Sequence, residues 1–71
     1  MNTFGSNLKT IREENKLTQC QLAALLHTSQ ARVSEWELNK IEPTLYNILR
    51  LMQVLNTSFE ELTENIQRPV V

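Results

Sequence analysis

Glycine is almost missing from this chain. One glycine and two prolines in 71 residues supply few of the special backbone positions that tight hairpin turns need, and no run alternates apolar and polar residues. A single cysteine, Cys20, excludes an intramolecular disulfide, and a single histidine, His27, leaves no cysteine–histidine cluster for a metal. No apolar run approaches the roughly 18 residues of a membrane-spanning helix. The N-terminus lacks a basic-then-apolar leader, so a reducing cytosol is the expected setting and no membrane is expected as a partner. There is no glycine-rich phosphate loop and no nucleophile–base–orienter set. Neither an enzyme nor a cofactor is therefore expected.

An excess of positive charge is also lacking. The net charge is −1 and the pI about 5.7, whereas many isolated nucleic-acid-binding domains are basic. The acidity is uneven. Residues 1–40 carry five cations against four anions, and residues 41–71 carry two cations (Arg50, Arg68) against four anions (Glu42, Glu60, Glu61, Glu64). Any binding to a polyanion would have to lean on the first part of the chain, with modest non-specific affinity and a shallow salt dependence.

What the chain does have is apolar content and helical signals. An apolar share of 41% argues against disorder. The length fits one small domain, which places the domain at residues 1–64 and a frayed C-terminal tail at 65–71. The expected fold is all-α, a compact bundle of five short helices. The first runs from about Phe4 or Ser6 to Asn15, with Leu8 and Ile11 inward and Asn15-Lys16 as its stop. Asn tolerates the left-handed cap. Residues Met1 to Asn7 read as a short leader. After a loop from Leu38 to Thr44, Thr44 is placed to cap a fourth helix, in which Leu45, Ile48, Leu49, Met52 and Leu55 form a stripe expected to be core for most of its width. Asn56-Thr57 ends it. Ser58 and Glu61 have the spacing of a capping box for a short fifth helix carrying Phe59 and Leu62.

The most informative stretch is Thr18 to Trp36, TQCQLAALLHTSQARVSEW. Thr18 and Gln21 form another capping-box spacing, and Leu17 can staple to Leu22. Leu22, Ala23 and Leu26 share one face of a helix from about Gln19 to Leu26. His27-Thr28 breaks the pattern. Ser29 is a natural N-cap for a helix from about Gln30 to Trp36, whose Val33 and Trp36 point one way. Ala23 suits a close helix approach, where a bulkier side chain would overpack by about 1–3 kcal/mol. The outer face keeps Ser29, Gln30, Ala31, Arg32, Ser34 and Glu35, side chains that can reach hydrogen-bonding edges in a major groove.

A TQ-x-x-LA followed ten residues later by V-x-x-WE, with the lead-in LKTIREENKLTQCQLA and the exit NKIEPTLYNILRLMQVLNTSFEEL, resembles the phage-repressor-type (lambda repressor-like) helix-turn-helix DNA-binding domains. The resemblance covers about Leu8 to Leu62. It implies that helices 2 and 3 form the helix-turn-helix and that the partner is double-stranded DNA, bound by a homodimer. It also implies a bacterial or phage source. Gln19 matches a glutamine that contacts a phosphate and braces the recognition helix. Asn39, Lys40 and Thr44 match a loop that runs along the phosphates. Arg12 and Glu37 match a paired arginine and glutamate joining the first helix to the end of the third. His27 and Asn39 stand where the family commonly has glycine, and both residue types are enriched at positive φ. Thr28 replaces an aliphatic turn residue.

Among the reading candidates, Gln30 can make a bidentate pair with adenine, and Ala31 can touch a thymine methyl. Arg32 can bond a guanine or a phosphate. Glu35 can accept from a cytosine amino group or repel the backbone. Ser29 and Ser34 can add hydrogen bonds. For dimerisation the resemblance points to the turn between helices 4 and 5 and to the C-terminal end, with Tyr46, Phe59, Ile66, Val70 and Val71 as interface candidates. The expected function is a sequence-specific transcriptional regulator, acting as a repressor on a pseudo-palindromic site. The alternatives are an antitoxin-like autoregulator with a partner protein, and a protein-interaction module that keeps the fold without DNA affinity.

Overall fold

A computed structural model describes residues 2–67. Five helices follow one another: α1 (Phe4–Glu14), α2 (Gln19–Leu26), α3 (Gln30–Glu37), α4 (Leu45–Leu55) and α5 (Phe59–Leu62). The described residues contain no strand beyond an isolated bridge between Asn2 and Ile66. No helix among them is long and apolar enough to cross a membrane.

Each start is fixed by a hydroxyl that satisfies a backbone N–H left over by the first turn. Thr18 and Ser58 make the expected capping boxes with Gln21 and Glu61, and Ser29 and Thr44 accept from Arg32 and Asn47. Thr3 adds a box with Ser6 and starts α1 at Phe4, the earlier of the two expected starts, within the stretch also read as a leader. The same stretch holds a buried residue, Asn7, whose Nδ2 donates to the carbonyls of Leu62 and Glu64, each at 2.9 Å. That side chain closes the C-terminal end of α5 from inside the domain. Asn2 donates its backbone N–H to the Asn65 carbonyl at 3.1 Å and pairs with Ile66. The tail at 65–71 is therefore tied at its first two residues, and 68–71, including Val70 and Val71, lie outside the described residues.

The left-handed stops are borne by residues other than glycine. Lys16, His27, Asn39, Asn56 and Asn65 all have φ between 50° and 60°. At the end of α1 the left-handed residue is Lys16, at 59°, and not Asn15, which stays at −84°. Asn15 instead donates its N–H back to Ile11 and Arg12, which continues the last turn by one residue. Gly5, the one glycine, lies in α1 and not in a turn. A Cβ there would overlap the Glu37 carbonyl oxygen and sit 2.7 Å from that of Trp36. Its missing side chain lets α1 press on the end of α3.

The core is Leu8, Leu22, Ala23, Leu26, Val33, Trp36, Leu51, Leu55 and Leu62. Both anchor faces of the central pair are in it, as their spacing indicates. The α4 stripe departs from expectation. Leu51, outside the stripe, is 0% exposed, while Leu45 is 71% and Leu49 51% exposed. Ile48 and Met52 are partly buried against the core and only Leu55 of the stripe is fully within it. The contacted arc is centred on Leu51 and Leu55, four residues apart on one face. Leu45 and Leu49 flank that arc and find no element to cover them among the described residues.

Candidate nucleic-acid interface

The capping box at Thr18 makes Gln19 the first residue of α2, and the cap at Ser29 makes Gln30 the first of α3. Between them His27, at φ 57° and ψ 41°, turns the chain, with its N–H on the Ala24 carbonyl at 3.2 Å. Thr28 N–H donates to the Ala23 carbonyl at 2.9 Å. These bonds occupy the last carbonyls of α2 and bring the two helix starts side by side. Val33 and Trp36 hold α3 to the core by its inner face. Gln30, Ala31 and Arg32 are exposed, and Ser34 and Glu35 half-buried.

The C-terminal end of α3 is held by charge. Arg12 Nε donates to Glu37 Oε2 at 2.6 Å and its Nη2 to Oε1 at 3.1 Å, and its Nη1 donates to the Leu17 carbonyl at 2.7 Å. Both side chains are buried. The hydrogen bond to Glu37 raises the Arg12 pKa above its ordinary value, burial opposes this, and the charges of Glu37 and Glu13 add to the rise. Arg12 is thus cationic at every working pH. The pair joins α1 to α3, as the resemblance implies.

From this pair a chain of side chains runs to the outer face. Gln19 Nε2 donates to Glu37 Oε1 at 3.0 Å. Gln30 Nε2 donates to Gln19 Oε1 at 3.4 Å, and the Cys20 thiol donates to Gln30 Oε1 at 3.3 Å. Gln19 is half-buried and Gln30 exposed. The structure therefore brings the two glutamines together.

The other candidates fall into separate groups. Arg32 and Glu35 form an exposed ion pair at 3.7 Å. Such a pair contributes little stability, about 0–1 kcal/mol, but it offsets the negative charge on this face. Ser29 Oγ accepts from Arg32 N–H at 3.2 Å and Thr44 Oγ1 from Asn47 N–H at 3.2 Å, so both hydroxyls serve first as caps. Asn39 turns toward α1: its Oδ1 accepts from Gly5 N–H and its Nδ2 donates to Thr3 Oγ1, both at 2.9 Å. Lys40 is exposed, with its backbone N–H on the Glu35 carbonyl at 2.9 Å.

Three contributors were missed by reading the sequence: Cys20, Thr3 and Gly5. A glycine inside a helical pattern costs about 1 kcal/mol relative to alanine, which is a signal of close packing. No spacing rule points to Cys20 or to the Thr3–Asn39 contact, because both depend on how separate helices meet.

A family profile described as helix-turn-helix matches residues 8–62. The chain belongs to the phage-repressor-type helix-turn-helix family. Among its relatives in this family, the HTH-type transcriptional regulator DicA of Escherichia coli (strain K12) is 39% identical over 56 residues, covering 79% of this chain and 42% of DicA. The chain thus spans less than half the length of that relative. The P22 c2 repressor, solved in complex with a synthetic operator, superposes with a TM-score of 0.82 at 27% identity, covering 87% of this chain and 94% of the repressor chain. The iron(II) form of HppE, solved in complex with its substrate, also gives a TM-score of 0.82, at 33% identity over 96% of this chain and 40% of the HppE chain. This helix-turn-helix unit therefore resembles both nearly all of a repressor chain and a minor part of a longer protein.

Proposed function

We propose that the chain is a sequence-specific DNA-binding transcription regulator, a repressor that lays α3 in the major groove as a homodimer. Its site is a pseudo-palindrome with half-sites about one helical turn, roughly 34 Å, apart. The observation that carries this reading is the division of α3. Val33, Trp36 and Glu37 are buried and hold the helix, while Gln30, Ala31 and Arg32 at its start stand exposed beside Gln19. The start of a recognition helix is the part that meets base edges. A repressor–operator complex of the same fold supports it.

In this reading Gln30 pairs with adenine, Ala31 packs on a thymine methyl, and Arg32 takes a guanine or a phosphate. Glu35, paired with Arg32, discriminates among bases, and Ser34 adds a hydrogen bond. Gln19, Lys40 and the backbone around Ser29, Asn39 and Thr44 set the register on phosphates. The cytoplasm is the compartment, and the unit binds without catalysing a reaction. Dimerisation raises the number of phosphate contacts, which matters for a chain with net charge −1. Exposed Phe59, at 50%, supports an interface near the α4–α5 turn, whereas Tyr46, 66% exposed, lies at the opposite end of α4.

A second reading, a protein-interaction module with the same fold and no DNA affinity, is favoured by the acidic pI of about 5.7. An antitoxin-like autoregulator would combine the two. Selection from a randomised DNA pool separates them. Enrichment of a two-fold motif that the folded Gln30→Ala variant fails to enrich supports the regulator. A folded dimer that enriches nothing at about 50 mM salt, where the electrostatic contribution is still strong, overturns it.

A further inference from the structure

We propose that Asn39 is a positioning residue for phosphate contact: its side chain ties the loop between α3 and α4 to the first turn of α1 and so holds Lys40 toward the DNA backbone. This rests on the DNA-binding function proposed above. It adds a role for Thr3 and Gly5, which lie outside the matched residues 8–62.

Asn39 does two separate things. Its backbone, at φ 60°, supplies the left-handed residue just past α3, and the Lys40 N–H closes on the Glu35 carbonyl at 2.9 Å. Glycine would serve that backbone without strain. The second task needs an amide. Since α1 begins at Phe4, the Gly5 N–H is one of the donors that no helical carbonyl can reach. Gly5 also sits pressed against the carbonyls of Trp36 and Glu37. Asn39 Oδ1 accepts from its N–H at 2.9 Å, in a partly buried bond. With the oxygen so engaged, the Asn39 NH2 group faces Thr3 Oγ1, also at 2.9 Å. Thr3 Oγ1 accepts the Ser6 N–H as well, at 3.1 Å, and a hydroxyl oxygen has lone pairs for both. Partners at both ends fix which way the amide points.

The consequence falls on the next residue. Lys40 is exposed, and it is the one cation of the loop at 38–44. In a chain with seven cations against eight anions, one lysine is a large share of what can neutralise phosphates. Its backbone is held from the α3 side by the Glu35 carbonyl and, through Asn39, from the α1 side. A loop ordered before DNA arrives loses less freedom on binding. Asn39 thereby raises affinity for every sequence alike and takes no share in choosing bases.

The tie is tested with the whole chain, 15N-labelled, and its Asn39→Gly variant, which keeps the left-handed backbone and removes both side-chain bonds. Gly5 is the one glycine of the wild-type chain, so its amide is readily identified. Amide hydrogen exchange at Gly5 is expected to speed up by about five- to tenfold in the variant, as loss of one net hydrogen bond implies, with the Val33 and Trp36 amides still protected. Unchanged exchange at Gly5 overturns the tie. DNA binding is then followed against salt for the wild type, Asn39→Gly, Lys40→Gln and the double variant. Lys40→Gln should lower the salt slope by about 1 per subunit. Asn39→Gly should weaken binding to selected and scrambled duplexes alike, by about two- to tenfold, the range that ordering one long side chain covers. It should lower the slope in the same direction and add nothing in the Lys40→Gln background. An equal loss in both backgrounds makes Asn39 purely structural and overturns the positioning role. If the wild-type chain binds no DNA, the proposed function falls and the positioning role with it, while exchange at Gly5 still decides the tie.

Discussion

Where α1 meets α3, polar groups fix the geometry from several sides. Arg12 and Glu37 form a buried pair, Gly5 lets the backbones close in, and Asn39 reaches from the end of α3 to Gly5 and Thr3. On α4 the reverse holds. Leu51 and Leu55 are buried, yet Leu45, Tyr46 and Leu49 of the same helix face solvent. The first region uses hydrogen bonds of defined direction, which suits a helix that must present its outer face in one orientation. The second offers apolar area that no other described residue covers. A buried ion pair adds little net stability against an apolar replacement, so its value at the junction lies in alignment.

The α1–α3 junction is most sensitive at the pair itself. Arg12→Met leaves the Glu37 carboxylate buried without its cation, and the expected loss in chemical denaturation is about 3–5 kcal/mol. The double variant Arg12→Met/Glu37→Met should recover most of that loss, and a double variant no better than the single one would contradict the account of the junction. Next in size is a contrast within α4. Leu51→Ala removes a fully buried side chain and should cost about 2–5 kcal/mol, whereas Leu49→Ala on the exposed side should stay within about 0.5 kcal/mol for the monomer. Gly5→Ala comes third, at about 1–3 kcal/mol, since the added methyl meets backbone carbonyls that cannot rotate away.

The smallest effect concerns pH. Hydrogen bonds from Ser58, at its backbone and side chain, lower the Glu61 pKa below the ordinary carboxylate value of 4.5. A lowered folded pKa means that the contribution is fully present above the unfolded value and is lost as pH falls through the folded one. Wild type should therefore exceed Glu61→Gln slightly in urea midpoint at pH 7, with the gap closing in acid below the ordinary value. A gap that widens in acid would reverse the sign.

Much of this was legible in the sequence because local chemistry decided it. Thr18, Ser29, Thr44 and Ser58 cap where capping rules place them, and the inner faces of α2 and α3 follow from spacing of three and four residues. His27 adopts the left-handed turn through a residue type that tolerates it. The exposure of Leu45 and Leu49 was not legible. Periodicity tells which residues share a face, but where a neighbour covers that face depends on the packing of distant helices. For the same reason the closing of α5 by Asn7 and the link from Glu37 through Gln19 to Gln30 are visible only in the folded chain. Asn15 and Lys16 show a finer limit: the sequence located the stop of α1 to within a residue, and backbone hydrogen bonding selected Lys16.

The most direct test of the central claim, that the exposed start of α3 reads sequence, is a salt-titrated binding measurement. It compares the selected duplex with a scrambled one for wild type and Gln30→Ala. Gln30→Ala is expected to lose about 1–3 kcal/mol of preference for the selected duplex while its salt slope, set by phosphate contacts, stays the same. Equal preference in both proteins, or a wild type that does not discriminate between the duplexes, would contradict it.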